Sequence, residues 1–254
     1  GGAFDAQFFA QGMWVSLPPV FENIMVPDDL ESMFVSAYSK GVRIHTNSWG
    51  NSGAQGQYTN DAASVDQTMW DHPDLLILFA AGNEAKDANQ DGVIDHGSII
   101  APGTAKNALT VGASKNDMPE FGNQKTCGER ETKNKIKKWA ADPINKEKQS
   151  DTPNGIACFS SRGPTLDQRI KPEIVAPGTN IVSVRSRNPK AGRLWGIYDD
   201  NYSWSGGTSM ATPLVAGAAA VARQYLQSLG FENPSAALIK ATLLHTAQDL
   251  YPGQ

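Results

Sequence analysis

Cysteine is scarce in this sequence, with only Cys127 and Cys158 among 254 residues, which excludes a fold held by a dense disulfide framework. No apolar run is long enough to cross a bilayer, which excludes a transmembrane helix. Positive charge is also short: 22 Lys and Arg against 26 Asp and Glu leave a net charge of −4, no field for gripping nucleic acid. Repeats and low-complexity tracts are absent. The amino end, GGAFDAQFFAQ, lacks an initiator Met, a basic region and an apolar signal core, so residues are expected to precede Gly1.

What is present suits one large core, since 40% of the residues are hydrophobic, and the 24 glycines and 15 prolines fall mostly between periodic segments as turns. Ala6 to Ala10 reads as a core strand. Asp28, with Glu31 behind it, is expected to cap a helix striped by Leu30, Met33, Phe34, Ala37 and Tyr38 and ended by Gly41. A strand over Val42–Asn47 and a helix over Asp61–His72 follow. LLILFAAGN is a continuous apolar strand that stops at Gly82 and Asn83, the pattern of a strand buried on both faces; ALTVGA and EIVAP add further strands. Asn233 and Pro234 open a last helix through SAALIKATLLHTA. This alternation predicts an α/β fold, a doubly wound, mostly parallel sheet with helices on both faces, truncated at the amino end.

The segment NYSWSGGTSMATPLVAGAAAVARQYL carries the chemistry. Val215, Ala219 and Ala222 recur at helical spacing, and Pro213, assigned to the first turn, sets the helix start close to Ser209. A hydroxyl at a helix N-terminus meets unpaired N–H groups and a favourable dipole, which suit an oxyanion forming beside a nucleophile. Gly206 and Gly207 let a substrate backbone approach. Taken alone, Ser209 or Thr208 is equally an ordinary N-cap, and Asn83 a turn residue.

Taken together, HTNSWG, FAAGNE, APGTAKNALTVGA, FSSRGP, KPEIVAPGTNI and GGTSMATPLVAG occur in the order found in the subtilisin-like serine peptidases. The chain resembles the carboxyl-terminal two thirds of that catalytic domain, in the style of the larger alkaline, oxidation-tolerant members. The resemblance implies that Ser209 is the acylating nucleophile, and that its own N–H and the Asn83 amide form the oxyanion hole. It also implies that Ser48, Trp49 and Gly50 pair with an extended peptide or protein substrate, that Ala80, Ala81 and Gly82 wall the primary specificity pocket, and that Gly207 admits the substrate backbone. A secreted or otherwise extracytoplasmic endopeptidase is the expected parent.

The family's aspartate motif (DSG or DTG) and histidine motif (HGTH) are not in the chain, so an upstream segment is expected to carry both, and the chain alone is expected to be nearly inert. The four histidines, His45, His72, His96 and His245, read as structural or surface residues. Departures from the family fall at about 12–26, 86–97 and 123–157. In the first, Met13, Trp14, Val15 and Leu17 are open to an apolar subsite role; the third is lysine-rich and bracketed by Cys127 and Cys158, which read as a disulfide or as two unrelated thiols. The second, DANQDGVIDHGS, repeats the first nine positions of an EF-hand-type loop: Asp87, Asn89, Asp91, the Val93 carbonyl and Asp95 would wrap a structural calcium. Ser98 stands where a bidentate glutamate belongs, leaving Glu84 as a substitute. An esterase of the α/β-hydrolase type is disfavoured, because Ala211 stands where its motif needs glycine. The alternative of another class is a noncatalytic peptide-binding pseudoprotease scaffold.

Overall fold

The computed structural model describes residues 2–17, 21–131, 138–189 and 191–250, without the side chains of 14–17, 21–24 and 131. In chain order it runs β1 (Trp14–Leu17), β2 (Phe21–Ile24), α1 (Leu30–Ser39), β3 (Ile44–Asn47), β4 (Asn51–Gln55), α2 (Asn60–Asp71), β5 (Leu76–Ala80), β6 (Ile100–Ala101) and β7 (Leu109–Ser114). It continues through β8 (Ile174–Pro177), β9 (Ile181–Val184), β10 (Gly196–Ile197), β11 (Tyr202–Ser205), α3 (Thr208–Ser228) and α4 (Ala236–His245).

The centre is a parallel sheet in the order β3-β5-β7-β8. Every residue of β5 is buried. Alternate side chains of a strand point to opposite faces, so both faces of this sheet are covered, and each fully buried Leu, Ile or Phe there contributes about 1.5–3 kcal/mol. Phe34 of α1 stands edge-on to Phe79 at 6.5 Å and to the His45 ring at 4.9 Å, which puts α1 on the Phe79 face. Helix α3 packs across all four strands with α4 beside it, and α2 packs on α1. Two features that the alternation did not announce are the antiparallel pair β4–β6 and the small sheet β10-β11-β9, which leads straight into α3.

Several expectations are corrected. Ala6–Ala10 is not a strand: it is exposed coil, with Phe8 91% accessible. A strand is stable only when its N–H and C=O groups join a ladder, and this segment pairs with none of the described strands. The α1 cap is Asp29, whose side chain accepts from Ser32 N, and the α4 cap is Ser235, which accepts from Leu238 N. Pro213 lies inside α3, beyond its first turn. Trp14–Leu17 pairs with β2 as a hairpin, while the subsite role for those side chains lies outside the described ones. Part of the lysine-rich stretch, 132–137, also lies outside the described residues.

Candidate active site

The position of Ser209 is built by a glycine and a helix start. Gly207, at φ +148°, turns the chain out of β11 and its N–H donates to Gly178 O at 2.8 Å; α3 then begins at Thr208, with Ser209 next. The first-turn N–H groups have no i−4 partner within the helix, which leaves the Ser209 N–H available as a donor. Ser209 is half-buried.

Asn83 reaches the same point from β5. Gly82, at φ +107°, bends the chain after the strand. The Gly82 N–H donates to Thr208 Oγ1 at 3.2 Å, while Asn83 Oδ1 accepts from Thr208 N at 3.0 Å and from Thr208 Oγ1 at 3.3 Å. With the oxygen so held, Nδ2 is left as the outward donor. A Cβ on Gly207 would meet the Asn83 amide only at ordinary contact, 3.5 Å from Oδ1 and 3.6 Å from Nδ2, so it is the φ of +148° that favours glycine here. Sequence reading took Thr208 only as a possible cap; here it sets the orientation of the Asn83 amide. The signal lay in its place beside the serine, at the one point where strand end and helix start meet.

Ser48 supplies the third side. Its hydroxyl donates to Ser209 O at 3.0 Å, and Ser209 Oγ lies 3.4 Å from Ser48 O, a long contact that holds the hydroxyl near the edge segment. Trp49 packs edge-on against Phe79 at 5.3 Å, and Gly50 sits against Ile100 and Ala101 O. Ala80 and Ala81 are buried beneath. Thus Ser48, Gly50, Gly82, Asn83, Gly207 and Ser209 gather at the carboxyl ends of β3 and β5, whereas Trp49, Ala80 and Ala81 serve as backing.

No histidine among the described residues is hydrogen-bonded to Ser209. His45 Nε2 is 2.9 Å from Gln11 Oε1, its Nδ1 is buried without a partner, and burial pushes its pKa down to about 4. The His72 ring lies on Tyr38 at 4.2 Å, His96 Nδ1 lies 3.0 Å from Gly163 O, and His245 is the exposed last residue of α4.

The acidic loop has the hydrogen bonds of a tight Asx turn. Buried Asp87 accepts from Asp91 N and Gly92 N, Asn89 from Asp91 N, Asp91 from Val93 N, and Asp95 from Ala88 N. These carboxylates are engaged by the loop's own backbone. Among the described residues no group of three or more His, Cys, Asp or Glu converges as a metal cage, and Glu84 lies 3.8 Å from Lys138 instead. Cys127 and Cys158 do form a disulfide, with Gln149 Nε2 donating to both sulfurs. It fastens the 123–157 excursion, as does buried Lys115, which pairs with Glu147 and Asp151.

A serine protease/ABC transporter B family protein, tagD, of Dictyostelium discoideum is 32% identical over 87% of the chain and 15% of its own length. The serine protease AprX of Bacillus subtilis is 32% identical over 59% of the chain and 26% of its own length. The chain thus spans a small part of the curated relatives it matches. Among solved structures, the self-cleaved protease domain of PatA superposes with TM-score 0.54 at 22% identity, over 88% of this chain and 60% of that one. Fervidolysin from Fervidobacterium pennivorans, described as a keratinolytic enzyme related to subtilisin, does so with TM-score 0.52 at 20% identity, over 87% and 25%. These likenesses carry the fold. The family model of the subtilases matches residues 2–254, and the chain belongs to the subtilase family.

Proposed function

We propose that the chain carries the nucleophile and oxyanion half of a serine endopeptidase site. The observation that supports this best is the Asn83 amide, whose oxygen is held by the N–H and hydroxyl of Thr208, the residue before Ser209, which leaves its N–H₂ to serve as the donor. In the proposed reaction Ser209 Oγ bonds to the scissile carbonyl carbon and its proton passes to a general base. The two N–H donors stabilise the oxyanion of the tetrahedral adduct; each such donor lowers the barrier by about 3 kcal/mol, a magnitude established on a family member rather than derived from this structure. Collapse breaks the C–N bond, the base returns its proton to the amine, and water hydrolyses the acyl ester. The base and the carboxylate that orients it are assigned to an upstream segment. Peptide or protein substrates would add as a strand along Ser48–Gly50.

Two further proposals go with this reading. The parent is proposed to be secreted, since a disulfide persists in oxidising compartments. Calcium in the Asp87–Asp95 loop rests on residue spacing alone and enters no chemical step. The second functional reading, a peptide-binding scaffold without turnover, is favoured only by the lack of a histidine at Ser209 among the described residues. A fluorophosphonate separates the two. Treatment of the full-length parent should place the adduct on Ser209; labelling at another serine, or none, would refute the endopeptidase assignment.

A further inference from the structure

Gly50 and Gly82 stand on the two segments, Ser48–Gly50 and Ala80–Gly82, that would flank the substrate residue whose carbonyl Ser209 attacks. Glycine at both positions leaves a space between the segments, and in this chain that space is filled. A Cβ on Gly50 would lie 2.7 Å from Ile100 Cδ1, and a Cβ on Gly82 would lie 2.8 Å from Ile100 Cγ2 and 3.0 Å from Ile100 Cγ1. A single side chain therefore touches both walls. Ile100 is 8% exposed, so a small part of it forms surface while the rest is packed.

Its backbone is fixed as well. The Ile100 N–H donates to Ala81 O at 3.0 Å, and the β4–β6 pairing sets Ile100 opposite Gln55 and Ala101 opposite Asn51. A β-branched side chain on a paired strand has little χ1 freedom, so Ile100 has no easy route out of the gap. A close-packed contact of this kind resists further volume.

We propose that Ile100 is the floor of the pocket for the residue on the amino side of the scissile bond, and that it restricts that residue to small side chains such as Gly, Ala and Ser. Aromatic and long aliphatic side chains are refused because the volume they need is held by Ile100. This rests on the endopeptidase reading above and names its substrate class.

The test uses the full-length parent and peptide p-nitroanilides that differ only in the residue before the cleaved bond: Gly, Ala, Leu and Phe. Wild type should favour Ala over Phe in kcat/KM. Each methylene in an apolar pocket discriminates by about 10- to 200-fold, so Ile100→Ala should shift the Phe/Ala ratio by at least about 100-fold toward Phe, with Ile100→Val between them. The rate of Ser209 labelling by a small fluorophosphonate reports the folded, chemically competent site in each variant. If Ile100→Ala does not fold, Ile100→Val carries the test through a smaller shift in the same direction. Wild type that cleaves Phe as well as Ala, or a ratio unchanged in variants that label normally, overturns the inference alone. A parent that never labels at Ser209 overturns the endopeptidase reading, and this inference with it.

Discussion

His45 provides a sharp check on which histidine does what. Its ring is enclosed by Phe34 at 4.9 Å and Gln11 Oε1 at 2.9 Å, and burial holds its pKa at about 4, with Asn47 acting weakly in the other direction. The unfolded chain titrates near 6.5, so between about pH 4 and 6.5 the unfolded state binds the extra proton and stability rises with pH. This term costs nothing above pH 6.5, where both states are neutral. As pH falls it removes stability until the folded ring protonates near pH 4, and the full displacement corresponds to about 3 kcal/mol. Urea unfolding of Ser209→Ala and of Ser209→Ala/His45→Gln, followed from pH 7.5 to pH 4, isolates the effect. Losing the ring adds a constant offset, while the gap between the two curves should change by about 3 kcal/mol across the window, with the Gln variant the less acid-sensitive. Parallel curves, or a His45 NMR titration near 6.5 in the folded protein, would refute the burial argument and reopen this histidine as a base. A ring with a depressed pKa that faces α1 rather than Ser209 is poorly matched to proton abstraction at neutral pH.

Three other perturbations have definite outcomes. Cys127→Ala/Cys158→Ala should lose about 4 kcal/mol and roughly 8 to 16 °C in Tm, because the bridge spans 31 residues; free thiols in protein from its native compartment contradict this. Met210 follows Ser209 and is half-buried, so on the proposed reading peroxide should reduce turnover of the parent by placing a bulkier polar sulfoxide there, and less so in Met210→Ala; equal sensitivity of the two sinks the idea. Calcium should raise the Tm of wild type more than that of Asp91→Asn/Asp95→Asn, with a chelator reversing it, and equal shifts would put any ion elsewhere.

The central architecture was legible because its signals are local. LILFA reads as a doubly buried strand from its unbroken apolar run, and Leu30, Met33, Phe34 and Ala37 mark the inner face of α1 by spacing alone. The meeting of Ser209 and Asn83 was legible only through the ordered set of motifs, since a serine in a helix start and an asparagine after a strand are each commonplace. What could not be read depends on partners distant in sequence. Thr208 matters because Asn83 Oδ1 comes to it from 125 residues away, and Ile100 matters because two glycines vacate the place it occupies. Ala6–Ala10 failed in the same way: its apolar character was visible, but a strand exists only with a ladder partner, and composition does not supply one.

Pro213 shows how one residue ties these levels together. Inside a helix a proline removes an N–H and typically costs about 3 kcal/mol, so its place beyond the first turn of α3 calls for compensation. The carbonyl deprived of its partner, four residues back, is that of Ser209. The Ser48 hydroxyl takes that vacant acceptor at 3.0 Å, and Ser209 Oγ lies 3.4 Å from Ser48 O, so two contacts of opposite direction join Ser209 to Ser48. Alanine at 213 would supply a helical N–H with which the Ser48 hydroxyl would share the Ser209 carbonyl. The proline is thus more than a residue the helix tolerates: by withholding a backbone donor it leaves the Ser209 carbonyl to the Ser48 hydroxyl.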